Sequence, residues 1–224
     1  MTSRGPAKRV RKAPAERRGE IVSAAAQVGL TEGLECVTLR RVAEELGVRP
    51  GLVSHYFPVA EELVAEAFAD ATSAELDGLL PGDSGDSGEF GDPGGPGGRS
   101  GESVLAVLRR FLALISGEEF DDISRLWLNA RHLSRYRPAL QEQVVRQELL
   151  WCRRIEEVIK EGVRARVFTS EDPWAAAVRI LVAIDGTSAY VNTSVQQRQA
   201  PITGLVRTVM EAELALPPGA LTAS

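Results

Sequence analysis

The run LGVRPGLVSHYF, Leu46 to Phe57, gathers a guanidinium, two glycines, a hydroxyl, an imidazole and a phenol within twelve residues. Arg49 can grip a phosphate or the edge of a guanine, because its planar fork matches two acceptors at once. Ser54 and His55 offer short polar groups to bases or phosphates, and the phenol of Tyr56 suits a phosphate oxygen. Gly51 lets the backbone approach a ligand closely. Covalent chemistry fits less well. The chain has two histidines, no Gly-rich phosphate loop, no metal-type His/Cys spacing and no nucleophile elbow. No catalytic residue, metal ligand or cofactor is therefore assigned. A helical enzyme or ligand carrier is the rival class.

The elements that must hold these groups read as helices. Pro14 suits a first helical position, and Ile21, Val22, Ala25, Val28 and Gly29 then recur at three- and four-residue intervals to about Thr31. Gly33 is placed to stop that helix in a left-handed conformation. Thr38 can cap a second helix through Leu39, Val42, Ala43 and Leu46, and Gly47 ends it. Pro50 suits the first turn of a short third helix, from Arg49 to about Tyr56. That helix buries Leu52 and Val53 and leaves Arg49, Gly51, Ser54 and His55 to solvent. Helix, tight turn and second short helix describe a helix-turn-helix, whose second helix enters the DNA major groove.

Charge agrees with a split molecule. Residues 1–57 carry ten Lys/Arg against six Asp/Glu, although the whole chain is at −5. A basic N-terminal module on an acidic body points to an anionic partner for that module, or to a solubilising tail. No apolar run approaches the ~18 residues of a membrane span, no apolar stretch follows the basic start, and two cysteines make no disulfide framework. The expectation is a protein of the reducing cytoplasm, with no membrane partner.

Residues 81–101 hold nine glycines in twenty-one positions, the composition of a flexible linker. The reading is a basic arm over 1–12, a helix-turn-helix domain over 13–58, a connecting helix over 59–80, the linker over 81–101, a helical domain over 102–216 and a flexible tail over 217–224. Helices are expected at about 102–116, 119–135, 137–165, 171–195 and 201–215, so the fold class is all-α.

The run TLRRVAEELGVRPGLVSHYFPVAEELVAEAF, from Thr38, resembles the DNA-binding signature of the TetR family of bacterial transcriptional regulators. The matching residues are Thr38, Val42, Ala43, Leu46, Gly47, Val48, His55, Tyr56, Phe57 and Glu61 to Leu63. More loosely, residues 165–186 resemble the BetI-type subgroup. The resemblance implies an N-terminal DNA-binding domain, a connecting fourth helix and a C-terminal domain that binds an effector and forms a homodimer through its last two helices. It implies DNA contacts from Thr38, Arg40, Arg49, Pro50, Gly51, Ser54, His55 and Tyr56, with the arm arginines as further candidates. Two departures stand out: Ala60 replaces the usual lysine before Glu61, and Pro50 stands where Lys or Ser is common. A pseudopalindromic DNA operator, a small-molecule effector and repression are what the resemblance implies. Activation or control of several targets on the same fold is the alternative.

Candidates for lining an effector cavity are Phe111, Trp127, Trp151 and Tyr190, with Asn129, His132 and Asp185 as polar groups. Aromatics at helical spacing are as readily core residues. Asp185, beside Gly186 in an apolar helix, needs a partner if buried.

Overall fold

The computed structural model of the chain describes residues 13–81, 103–193 and 198–222. The expected arm over 1–12, and the linker apart from Pro81, lie outside these residues. The described residues form ten α-helices and two short 3-10 turns, with no strand.

The helix α1 (Pro14–Glu32) starts on a proline and carries the expected apolar face. A 3-10 turn at Leu34–Cys36 leads to α2 (Leu39–Glu45), which Thr38 caps by accepting the Arg41 backbone N–H at 3.1 Å. The turn residue Gly47 has φ +61°, the left-handed region that glycine enters without strain. Gly33 differs from expectation. Its φ of 96° is positive, but its ψ of 156° is extended, a region essentially closed to other residues. The helix therefore stops by turning outward into the 3-10 turn.

The short α3 (Pro50–Tyr56) and the long α4 (Ala60–Leu79) follow. The helix α4 packs on α1 and on the C-terminal half of the chain, and buries Leu63, Ala67, Phe68, Ala71 and Leu76. Its first turn holds Glu61 and Glu62, which complement the positive end of the helix dipole. From residue 103 on come α5 (Val104–Ser116), α6 (Asp121–Ser134), α7 (Pro138–Arg164), α8 (Pro173–Val191), α9 (Ala200–Thr203) and α10 (Leu205–Glu213). One apolar core runs from α1 to α10 without interruption.

Several expectations need correction. The last expected helix is broken at Gly204 into α9 and α10, and α8 ends at Val191 rather than near residue 195. Residues 217–222 are not a free tail. Leu221 is buried, its N–H donates to the buried Glu211 carboxylate at 3.0 Å, and Arg109 donates to Ala220 O at 2.9 Å. Cys152 is buried and Cys36 half-buried, both as free thiols. Finally, α8 is long and apolar enough, by length and composition, to cross a membrane. Its two charges are nevertheless paired within the bundle, Arg179 with Glu213 and Asp185 with Arg131, both at 2.7 Å.

Candidate nucleic-acid interface and interior cleft

The short α3 has two unlike sides. Val53 is fully buried and Phe57, just past the helix, is its aromatic anchor. Arg18 stacks over the Phe57 ring at 4.6 Å and forms a two-pronged bond with Glu66 on α4 at 2.5 and 2.6 Å. Glu66 holds the Arg18 pKa above its ordinary value. The helix is thus pinned from behind. On its outer side Arg49, Pro50, Gly51, Ser54 and His55 are exposed, and Tyr56 is half-buried with His55 edge-on to its ring. No atom stands within 4 Å of where a Gly51 Cβ would lie, so this helix start is open to a docking surface.

The cations nearby divide by their partners. Arg41 is held by Glu32 at 2.5 Å and Glu45 at 2.8 Å, which raise its pKa. It ties α2 to the end of α1. Arg40 is 84% exposed and has only a single i,i+4 contact to Glu44, of a kind that contributes little in water. Arg49 is exposed with no ion-pair partner among the described residues. Thr38 spends its oxygen lone pair on the cap but keeps an O–H to donate. Arg17 and Arg18 sit within α1 and are paired to Glu20 and Glu66.

The second site lies among α6, α7 and α8. A cleft there is lined by Phe120, Trp127, Trp151, Arg131, Asp185 and Ser188, among others, with a volume of only ≈ 10 Å³, about the space of one water. Trp127 and Trp151 meet edge to face at 6.5 Å between ring centroids. Arg131 lies over the Trp127 ring at 5.1 Å and donates to Asp185 at 2.7 Å and Glu148 at 3.0 Å. Burial opposes its charge, but the two carboxylates outweigh that and raise its pKa. Burial also pushes the Asp185 carboxyl up, and Arg131 pulls against it. A larger groove of ≈ 490 Å³, lined by Arg109, Leu112, Thr203, Arg207 and Leu221, opens to solvent between α5, α9 and the chain end. The cleft has the stronger claim to a ligand, because it is less open than the groove and combines aromatic faces with converging charges.

The chain matches the family model described as bacterial regulatory proteins of the tetR family over residues 21–67. It matches the BetI-type transcriptional repressor C-terminal model over residues 100–215. The chain belongs to the TetR family. No curated protein matches it. Among solved structures it is similar to a TetR-family regulator from Rhodococcus sp., at 23% identity and TM-score 0.66, covering 88% of this chain and 99% of that one. A regulator from Saccharomonospora viridis, in complex with choline, matches at 20% identity and TM-score 0.63 over 87% and 94% of the two chains. GusR of Salmonella enterica matches at 15% identity and TM-score 0.66 over 91% and 98%. Members of the TetR family are DNA-binding transcriptional regulators, not enzymes.

Within this TetR fold the candidates for DNA contact lie on α2 and α3 or at their N-caps; all are exposed except Tyr56, which is half-buried. The cavity candidates scatter. Trp127, Trp151 and Asp185 line the cleft. Phe111 is a core residue, and Tyr190 is exposed on α8. His132 is exposed, edge-on to Tyr136. Asn129 is also outside the cleft. Its Oδ1 accepts the Leu34 N–H and its Nδ2 donates to Glu35, both at 2.8 Å, so it fastens α6 to the turn after α1. The sequence reading missed Arg131, Phe120 and Glu148. A signal was present for the first: Arg131 follows Trp127 by four residues and so shares its helix face.

Proposed function

We propose that the chain is a homodimeric, cytoplasmic repressor, released from a pseudopalindromic operator when a small molecule enters the cleft among α6, α7 and α8. The observation that carries the reading is the division of α3. One side is pinned into the core by Val53 and Phe57, while the other leaves Arg49 without an ion-pair partner among the described residues, beside exposed Ser54 and His55. In this reading the contacts come from Thr38, Arg40, Arg49, Gly51, Ser54, His55 and Tyr56, with Pro50 fixing the entry of the helix. The arm over 1–12 adds five Lys/Arg and offsets the missing lysine at Ala60.

Dimerisation is supported by α8, whose outer side leaves Val182 63% and Tyr190 58% exposed while its inner side packs on α7 and α10. A pseudopalindromic operator requires the two copies of α3 to stand about 34 Å, one helical turn of DNA, or a multiple of it apart. The effector acts by population shift: it favours a packing of α6 to α8 in which the two recognition helices no longer match successive grooves. The choline bound by the Saccharomonospora viridis relative supports a compact organic effector.

The test is an anisotropy titration of the protein on DNA from its own upstream region, paired with sedimentation. Specific, saturable binding by a dimer is expected, and Val182→Asp should yield a monomer that binds half-sites only weakly. Flat titrations at low salt, or a monomer as the sole species of the unmodified chain, would refute it.

A further inference from the structure

The ≈ 490 Å³ groove between α5, α9 and the chain end has the size of a small-molecule site, and its lining charges are of one sign. Arg109 and Arg207 line it, and no Asp or Glu does. Arg109 is anchored without being neutralised: its Nε and Nη2 donate to the Ala220 carbonyl at 3.1 and 2.9 Å. The Arg207 guanidinium has no hydrogen-bond or ion-pair partner among the described residues. The carboxylate one turn further along α10, Glu211, is buried and accepts the Leu221 N–H at 3.0 Å. Two guanidiniums against that one carboxylate leave a net positive charge. A recess lined by one sign of charge concentrates ions of the other.

We infer that this groove is a second ligand site, which takes a monocarboxylate with an apolar tail of medium length. It shares no lining residue with the cleft among α6, α7 and α8, and it does not depend on the effector reading. A carboxylate offers two acceptors to a planar guanidinium fork, and such charge-assisted bonds are roughly twice as strong as neutral ones. The Arg207 fork, from α10, and the remaining N–H groups of Arg109, from α5, supply the donors. The hydroxyls divide by their bonds. Those of Thr203 and Thr222 donate to the Gln199 and Gly219 carbonyls, which leaves the exposed Ser116 hydroxyl as a further donor. Leu112, Ala113 and Leu221 make an apolar bed for the tail. From Arg109 to Ser116 the groove follows two turns of α5, ~10 Å, a length that an extended medium-chain acid can match. An inorganic phosphate would leave that bed uncovered and carry more charge than the groove can balance. A neutral amphiphile would leave the Arg207 fork unanswered, and a cation would meet two like charges.

The decisive comparison uses octanoate and octanamide, which match in shape and differ in charge, with inorganic phosphate as a head group lacking a tail. Binding is read by titration calorimetry on the full chain. Saturable binding of octanoate is expected, with octanamide and phosphate each weaker by at least about tenfold. Arg207→Ala removes the free fork and should weaken octanoate by about tenfold or more. Asp185→Asn, which changes only the cleft, should leave octanoate binding unchanged. Equal binding of octanoate and octanamide, phosphate as tight as octanoate, or unchanged affinity in Arg207→Ala would overturn the inference. So would tighter octanoate binding in Asp185→Asn, which would place the ligand in the cleft, or no saturable binding up to about 10 mM. If Arg207→Ala does not fold, Ala113→Phe decides: this exposed position admits a large side chain that fills the groove, so octanoate binding should be lost, and its persistence would refute the site.

Discussion

Asn129→Ala should weaken the seat of the DNA-binding domain on α6 by an amount the structure lets one work out. Two bonds are lost, to the Leu34 N–H and to Glu35, each at 2.8 Å. They are not equivalent. Leu34 is 1% exposed, so water cannot readily replace the lost acceptor, and an unsatisfied buried N–H costs about 1–3 kcal/mol. Glu35 is exposed and returns to water at little cost. The net destabilisation is therefore about 1–3 kcal/mol, nearly all of it from Leu34. With a urea m-value of about 2–3 kcal/mol/M for a chain of this size, the midpoint should fall by roughly 0.3–1.5 M. Asn129→Asp dissects the mechanism. It keeps an acceptor for Leu34 but sets a second carboxylate against Glu35, so its loss at neutral pH comes from repulsion. That loss should fade as pH falls and one carboxyl takes up a proton, whereas the alanine variant should show no such recovery. The assay is urea unfolding at two pH values, with operator anisotropy alongside. An unchanged midpoint for Asn129→Ala, or identical pH behaviour of both variants, would refute the reasoning.

Three more predictions follow from the same geometry. Arg49→Ala should cost about 1–3 kcal/mol of operator affinity if it contacts guanine, or flatten the log–log salt slope by about 0.9 if it contacts phosphate; Arg41→Ala, at a residue paired to Glu32 and Glu45, should lower stability and leave that slope alone. Gly162→Ala would drive a methyl into the Cζ edge of the Phe168 ring and should destabilise by about 1–3 kcal/mol, read as a lower unfolding midpoint. Glu75 has its carboxyl pKa raised above the ordinary 4.5 by burial, so its ionised form is disfavoured in the folded chain, and the cost, present above the folded pKa, vanishes below 4.5. Glu75→Gln should therefore be more stable than wild type at neutral pH, and thermal unfolding across pH should show the gain disappearing in acid.

Much of the fold was legible because its signals are short-ranged. Pro14, Pro50, Pro138 and Pro173 each open a helix, as a residue lacking an N–H does where none is needed. Thr38 caps α2 through a neighbour three positions on, and Gly47 turns at the φ that its lack of a Cβ permits. The exposed surface of α3 could be read in the same way, since seven residues are two turns and the buried Val53 orients the rest. The helix break at Gly204 was not legible. The continuous apolar pattern of 201–215 fits one helix as well as two, and what the second packs against, α8 with Leu221 beside Glu211, is set by the tertiary structure.

Side-chain partners between helices were the other hidden layer. Asn129, Arg131 and His132 lie within four consecutive residues, yet one fastens the N-terminal turn, one fills the cleft and one faces solvent. Each residue turns a helix by about 100°, so a difference of one position sends a side chain to another neighbour. What the sequence by itself determined was where most helices begin, the helix-turn-helix near the start of the chain, and the likeness to the TetR family. Only the tertiary structure decided that Arg131 reaches Asp185 across 54 residues, and that Asn129 joins the two halves. The physical reason is that capping, backbone preference and amphipathic period act within a turn or two. The rotation and closeness of packed helices depend on all the side chains between them at once.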